Sequence, residues 1–95
     1  MKDESEKRIE TYLCEQVKTR GGLCLKLNPF WYFGIQDRLV LLPGGRIGFA
    51  ELKNPHGTGR RGVKQGWWRD TMRELGFRSE FLHSETMVEL FLLHL

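Results

Sequence analysis

Ile9, Leu13 and Val17 recur at the spacing of one helix face, which Tyr12 widens, and acidic residues crowd the turns ahead of them. This pattern predicts an amphipathic helix from about Asp3 to Arg20, stopped by Gly21-Gly22. The period then falls to two. Leu23, Leu25 and Leu27 alternate with Cys24 and Lys26, which reads as a strand with Lys26 on the opposite face from the leucines, closed by Asn28-Pro29. Phe30-Trp31-Tyr32-Phe33 places four bulky rings in a row, which suits neither a helix stripe nor an exposed edge, so a packed loop ending at Gly34 is expected. Asp37–Leu42 and Arg46–Lys53 read as strands joined by Pro43-Gly44-Gly45. Residues 54–62, NPHGTGRRG, offer no apolar anchor and read as a flexible basic loop. A second helix is expected from about Val63 to Leu75, with Trp68, Met72 and Leu75 on one stripe and Gly76 as its stop. Phe77–His83 reads as a last strand. Ser84 can cap a final helix whose Met87, Val88, Leu90, Phe91, Leu92, Leu93 and Leu95 leave little polar face, so the core or a second subunit should cover it. The order αβββαβα describes an α/β domain in which a small mixed β-sheet is flanked by helices.

Turn chemistry sets the register of the central hairpin. Pro43 suits the first position of a type I turn and Gly45 a left-handed bulge, which places Leu42 opposite Arg46 and Asp37 opposite Glu51. A two-residue Gly44-Gly45 loop would slip the pairing by one and set Asp37 against Leu52. The first register is favoured. In it Asp37, Glu51 and Lys53 point to one face of the sheet.

Composition narrows the class further. The chain has 95 residues, enough for one domain spanning 1–95, and its 15 Lys+Arg against 12 Asp+Glu leave a net charge of +3, a weak hint of an anionic partner. Cys14 and Cys24 lack the companions a zinc site needs and read as buried free thiols, while His56, His83 and His94 share no ligand spacing. The charged start of the chain and the absence of any apolar run near the roughly 18 residues of a membrane span predict a cytosolic protein with no membrane partner.

The candidate chemistry lies in the hairpin. Two carboxylates about 5 Å apart repel by roughly 3 kcal/mol at an effective dielectric of 20, so a cation is expected to offset them. Lys53 supplies part of that charge; Mg²⁺ or Mn²⁺, which take hard oxygen ligands and one or two carboxylates, would supply more. Such an ion with a nearby lysine is suited to phosphodiester hydrolysis. The competing reading of Glu51 and Lys53 is an ordinary salt-bridged pair at a strand end. Arg60, Arg61 and Lys64 follow the Glu51 strand and are candidate phosphate contacts; Lys26 could face either the site or solvent. Trp67, Trp68 and the Phe30–Phe33 run fit packing better than base stacking.

Residues 34–53, GIQDRLVLLPGGRIGFAELK, resemble the central block of the VRR-NUC domain, a branch of the PD-(D/E)XK superfamily in which a G-x-P-D-R strand runs through a P-G-G hairpin into a V-E-L-K strand. The resemblance extends to Glu6 before Ile9, Gly21-Gly22 with Lys26, and Gln65 ahead of Leu75-Gly76-Phe77. It implies a restriction-endonuclease-like core and a Mg²⁺- or Mn²⁺-dependent endodeoxyribonuclease. Asp37 and Glu51 would be the metal carboxylates, with the backbone carbonyl of Leu52 as a further ligand and Lys53 as the catalytic lysine. Gln65 would face the site, and Glu6, with Glu10 as runner-up, would add to the metal or water shell from the first helix. Gln36 stands where the family usually has proline, which is expected to alter loop rigidity more than chemistry. Short stand-alone members resemble Holliday junction resolvases that act as homodimers on branched DNA, and the apolar last helix and paired tryptophans give separate motive for a dimer. The alternatives are a non-catalytic DNA-binding or assembly module and a nuclease acting on flaps or ends.

Overall fold

The computed structural model describes residues 4–28, 30, 32–54 and 63–95. In chain order these form α1 (Glu4–Thr19), β1 (Leu23–Lys26), β2 (Arg38–Leu42), β3 (Arg46–Leu52), α2 (Val63–Glu74), β4 (Arg78–Leu82) and α3 (Glu85–Leu93). The expected order αβββαβα holds. Arg60 and Arg61 lie outside the described residues, as does most of the expected basic loop.

Both long helices end as their glycines dictate. After α1, the Gly22 N–H donates to the Val17 carbonyl and the Gly21 N–H to that of Lys18; after α2, Phe77 donates to Met72 and Gly76 to Arg73. Each is the double bond of a Schellman ending, and Gly21 and Gly76 hold the positive φ it requires, +79° and +94°. Ser84 caps α3 by accepting from the Met87 N–H at 3.1 Å.

The sheet runs β1-β2-β3-β4, with the first three strands antiparallel and β4 parallel to β3 after the α2 crossover. Leu42 pairs with Arg46 and Arg38 with Ala50, so the three-residue loop sets the register and Asp37 falls opposite Glu51 one step past the ladder. Gly44 as well as Gly45 has positive φ, +86° and +74°. A positive φ in the second central position is what a type II turn demands, so the turn differs from the type I expected while keeping its loop length.

Even-numbered strand residues face α1 and α3. Ile9, Leu13 and Val17 of α1 meet Val40, Leu42, Ala50, Leu52 and Leu82 of the sheet and Val88, Phe91 and Leu92 of α3. Gly48 lets α3 come this close, because a Cβ there would stand 2.7 Å from Phe91 Cζ and 2.4 Å from Leu95 Cδ1. The opposite, odd-numbered face receives α2, whose packing is against β4.

Two apolar stripes are left largely uncovered. Leu23 and Leu25 are 59% and 42% exposed, and the neighbour between them, Cys24, is the β1 residue that packs on the core. Alternation indicates the strand but not which face is covered: the leucines lie on the α2 face, at the β1 edge of the sheet, while α2 packs over β4. Likewise α2 has no fully buried residue and Leu75, beyond its end, is 66% exposed. By contrast α3 buries three of its apolar residues in this chain's own core and exposes Leu90 and Leu93. Among the described residues, no helix is long and apolar enough to cross a membrane.

Candidate active site

Asp37 immediately precedes β2, Glu51 is the penultimate residue of β3 and Lys53 follows that strand, so all three gather where the strands end, on the face covered by α2. The backbone fixes Asp37 from two sides. Its carbonyl accepts from the Leu27 N–H at 2.9 Å, and its carboxylate Oδ2 accepts from the Leu52 N–H at 3.0 Å. The carboxylate is thereby held across the hairpin against the end of β3.

Glu51 is 4% exposed, an expensive place for a carboxylate unless charge and hydrogen bonds offset its desolvation. Gln65 and Lys53 provide both. The Gln65 amide donates to Glu51 Oε2 at 2.7 Å, while its carbonyl oxygen accepts from Lys53 Nζ at 2.6 Å. Lys53 Nζ itself lies 3.7 Å from Glu51 Oε2. One glutamine side chain therefore bridges acid and base and holds each at a fixed distance from the other. Phe81, the β4 partner of Glu51, forms the apolar floor. Lys53 Nζ stands 5.5 Å from its ring centre and the Arg69 guanidinium 4.9 Å.

Arg69 was missed in the sequence reading. It lies four residues after Gln65, on the same face of α2, and that spacing is the signal that could have found it. Gln36 was expected only to change loop rigidity. It is instead buried, 2% exposed, and its amide donates to Ser79 Oγ of β4 at 2.6 Å, tethering the approach to Asp37 across the sheet. Replacing Gln36 by Ala should cost about 1–2 kcal/mol of stability through the lost bond and the cavity, measurable as a lower midpoint in urea. An unchanged midpoint would mean the tether carries no stabilisation.

Glu10 is buried on the α1 face, where its carboxylate accepts from Arg38 Nε at 2.8 Å. Among the described residues no three His, Cys, Asp or Glu side chains gather as metal ligands. Lys26 is exposed on the same face as Arg38, away from the two carboxylates. Lys64 is exposed beside Gln65, its ammonium 4.7 Å from the Trp67 ring. The aromatic loop packs against α2 through Tyr32, edge-on to Trp68, and through the Trp68 indole N–H, which donates to the Phe33 carbonyl at 2.9 Å. Between that loop and α2 a cleft of about 550 Å³, lined by Leu27, Phe33, Ile35 and Val63, opens onto Asp37 and Gln65.

The donor set suits a hard divalent cation. Two carboxylates at opposed positions of the hairpin match the one or two carboxylates that Mg²⁺ or Mn²⁺ accepts while keeping most of its waters. Thiols and imidazoles, which would favour softer metals, are absent from these positions.

An α/β/α sandwich with two carboxylates and a lysine at the end of its central hairpin defines the restriction-endonuclease-like class, the PD-(D/E)XK fold. A solved structure described as a VRR_NUC domain superimposes with a TM-score of 0.82 over 95% of this chain and 96% of that one, at 28% identity. The chain shares the fold of that VRR_NUC domain along almost its whole length. A 50-residue stretch is 42% identical to "Putative nuclease p44" of Acyrthosiphon pisum secondary endosymbiont phage 1, covering 53% of this chain and 54% of that protein. The chain thus spans about half the length of this curated relative. No family model matches the sequence.

Proposed function

We propose that this protein is a Mg²⁺- or Mn²⁺-dependent DNA endonuclease that hydrolyses phosphodiesters in branched DNA, as a homodimer of Holliday junction resolvase type acting in the cytoplasm. The observation that carries the reading is the Glu51–Gln65–Lys53 bridge beside Asp37. A buried salt bridge kept only for stability gains little over apolar packing, whereas a buried acid and lysine held apart by an amide form a preorganised site for charge that develops in a reaction.

Asp37 and Glu51, with the Leu52 carbonyl, would hold the ion. When bound, it polarises the scissile phosphate and lowers the pKa of attacking water. Lys53 orients that water, takes part in its proton transfer and stabilises charge on the phosphate oxygens. Gln65 keeps the Lys53 ammonium directed along Glu51 instead of letting it swing into solvent. Glu6 would join the water shell from α1. Lys26 and Lys64, together with Arg60 and Arg61, would contact flanking phosphates and make binding salt-dependent.

The dimer is supported by apolar surface that the single chain leaves uncovered: Leu23, Leu25 and Ile47 on one sheet face, and Leu90 and Leu93 on α3. Pairing two sites would select a substrate with two symmetrically placed scissile strands. Four-way, flap, splayed and linear duplex DNA offered in parallel test the substrate. Paired incisions confined to four-way DNA are expected; preferential cutting of flaps or ends would replace the resolvase reading with that of an end-processing nuclease. Light scattering that gave a monomer mass at micromolar concentration would remove the dimer.

A further inference from the structure

We propose that Cys14 and Cys24 form an oxidisable dithiol, closed by a low-molecular-weight disulfide into a bond that staples α1 to the edge strand β1. The two thiols are free, half-buried, and only 3.1 Å apart between sulfurs. A disulfide bond is about 1 Å shorter, so closure asks for a small movement at the seam between a helix and a strand. Cys24 faces α1 because it lies on the even-numbered face of β1, where it packs against the core.

The two sulfurs differ in access. Cys14 borders a surface groove whose walls carry Lys7, Thr11, Lys18 and the Glu10–Arg38 pair, so a dissolved reagent reaches it there. Cys24 is set deeper: burial first, then its contact with Cys14, pushes its thiol up to about 12. The order of events follows from that difference. The Cys14 thiolate attacks one sulfur of the reagent disulfide, the reagent S–S bond breaks, and one small thiolate leaves. Cys24 then gives up its proton to solvent and its sulfur attacks the Cys14 sulfur, expelling the second small thiolate. Two protein thiols are oxidised to one disulfide and the reagent is reduced to two thiols, which take up the two protons. In a reducing cytosol the pair stays open; a shift toward oxidised small thiols closes it.

Closing a short loop between two folded elements should raise the melting temperature of this small domain by on the order of 10 °C. The staple lies on the α1 side of the sheet, away from Asp37 and Lys53, so its readouts are chemical and thermal and stand apart from any nuclease assay. The full chain is equilibrated in a series of reduced-to-oxidised glutathione buffers, acid-quenched and alkylated, then examined by intact mass, peptide mapping and thermal melting. The expected result is concerted loss of both thiols, an internal Cys14–Cys24 peptide pair and the higher melting temperature. Cys24→Ser should stop at a glutathione adduct on Cys14, and Cys14→Ser should leave Cys24 unreacted. A stable glutathione adduct on the unmodified sequence, bonds between chains, or two thiols persisting at the most oxidising ratio would each overturn the proposal. The mapping on the unmodified sequence decides the matter even if a serine variant fails to fold.

Discussion

Replacing Lys53 by Ala should lower the rate of DNA cleavage by about 10²–10⁴-fold while leaving the fold and much of the DNA affinity in place. The ammonium sits 2.6 Å from Gln65 Oε1 and 3.7 Å from Glu51 Oε2, so the substitution deletes the positive charge at the buried carboxylate. Glu51 keeps its bond from the Gln65 amide, which limits the structural damage. Arg in place of Lys is expected to restore little. A planar guanidinium always carries its charge and cannot accept or release a proton in the reaction, and its fork does not fit the single acceptor Gln65 presents. Single-turnover cleavage with saturating enzyme separates a rate defect from a binding defect; an alanine variant that cuts at the wild-type rate would remove Lys53 from the mechanism.

Glu51→Gln should be nearly as severe for activity. The variant keeps a hydrogen-bonding group of the same size against Gln65 but removes one of the two charged oxygen donors offered to an ion. A bound ion contributes several kcal/mol of transition-state charge stabilisation, so losing it corresponds to a fall of about 10²–10³-fold in cleavage. Because the change leaves the largely buried Lys53 ammonium without its carboxylate, the melting temperature should fall modestly, with the amide's hydrogen bond to Gln65 limiting the loss. Isothermal titration with Mn²⁺ checks the assignment independently of DNA: heat of binding should fall sharply for Glu51→Gln. A variant that binds Mn²⁺ as the wild type does would exclude Glu51 as a ligand, and a strongly destabilised one would make it a structural residue.

The fold was legible where local chemistry decides it. The 3.6-residue recurrence of Ile9, Leu13 and Val17 and the glycines at 21 and 76 set two helices and their ends, and the Pro43-Gly44-Gly45 loop length set a register that carries Asp37 to Glu51. The site core followed from that register. What stayed hidden was decided by contacts between distant segments. Alternation in β1 could not say that Cys24, rather than Leu23 and Leu25, meets the core, because covering a face depends on where α1 and α2 land. The bond from Gln36 to Ser79 spans 43 positions, and nothing local to Gln36 announces it. Glu10 stood as runner-up to Glu6, yet its partner Arg38 lies 28 positions away on β2. Arg69 and the proximity of the two cysteine sulfurs likewise depend on how helices sit over the sheet.

The proposed reaction requires Asp37, Glu51 and Lys53 to act together as a metal-dependent phosphodiesterase site. The most direct measurement is cleavage of four-way, flap, splayed and duplex DNA by the purified protein with Mg²⁺ or Mn²⁺ and with EDTA, beside the Lys53→Ala variant. Cutting is expected with metal, none with EDTA, and a loss of at least about 10²-fold in the variant. Equal cutting by the variant, or no metal-dependent cutting of any of the four substrates, would contradict it.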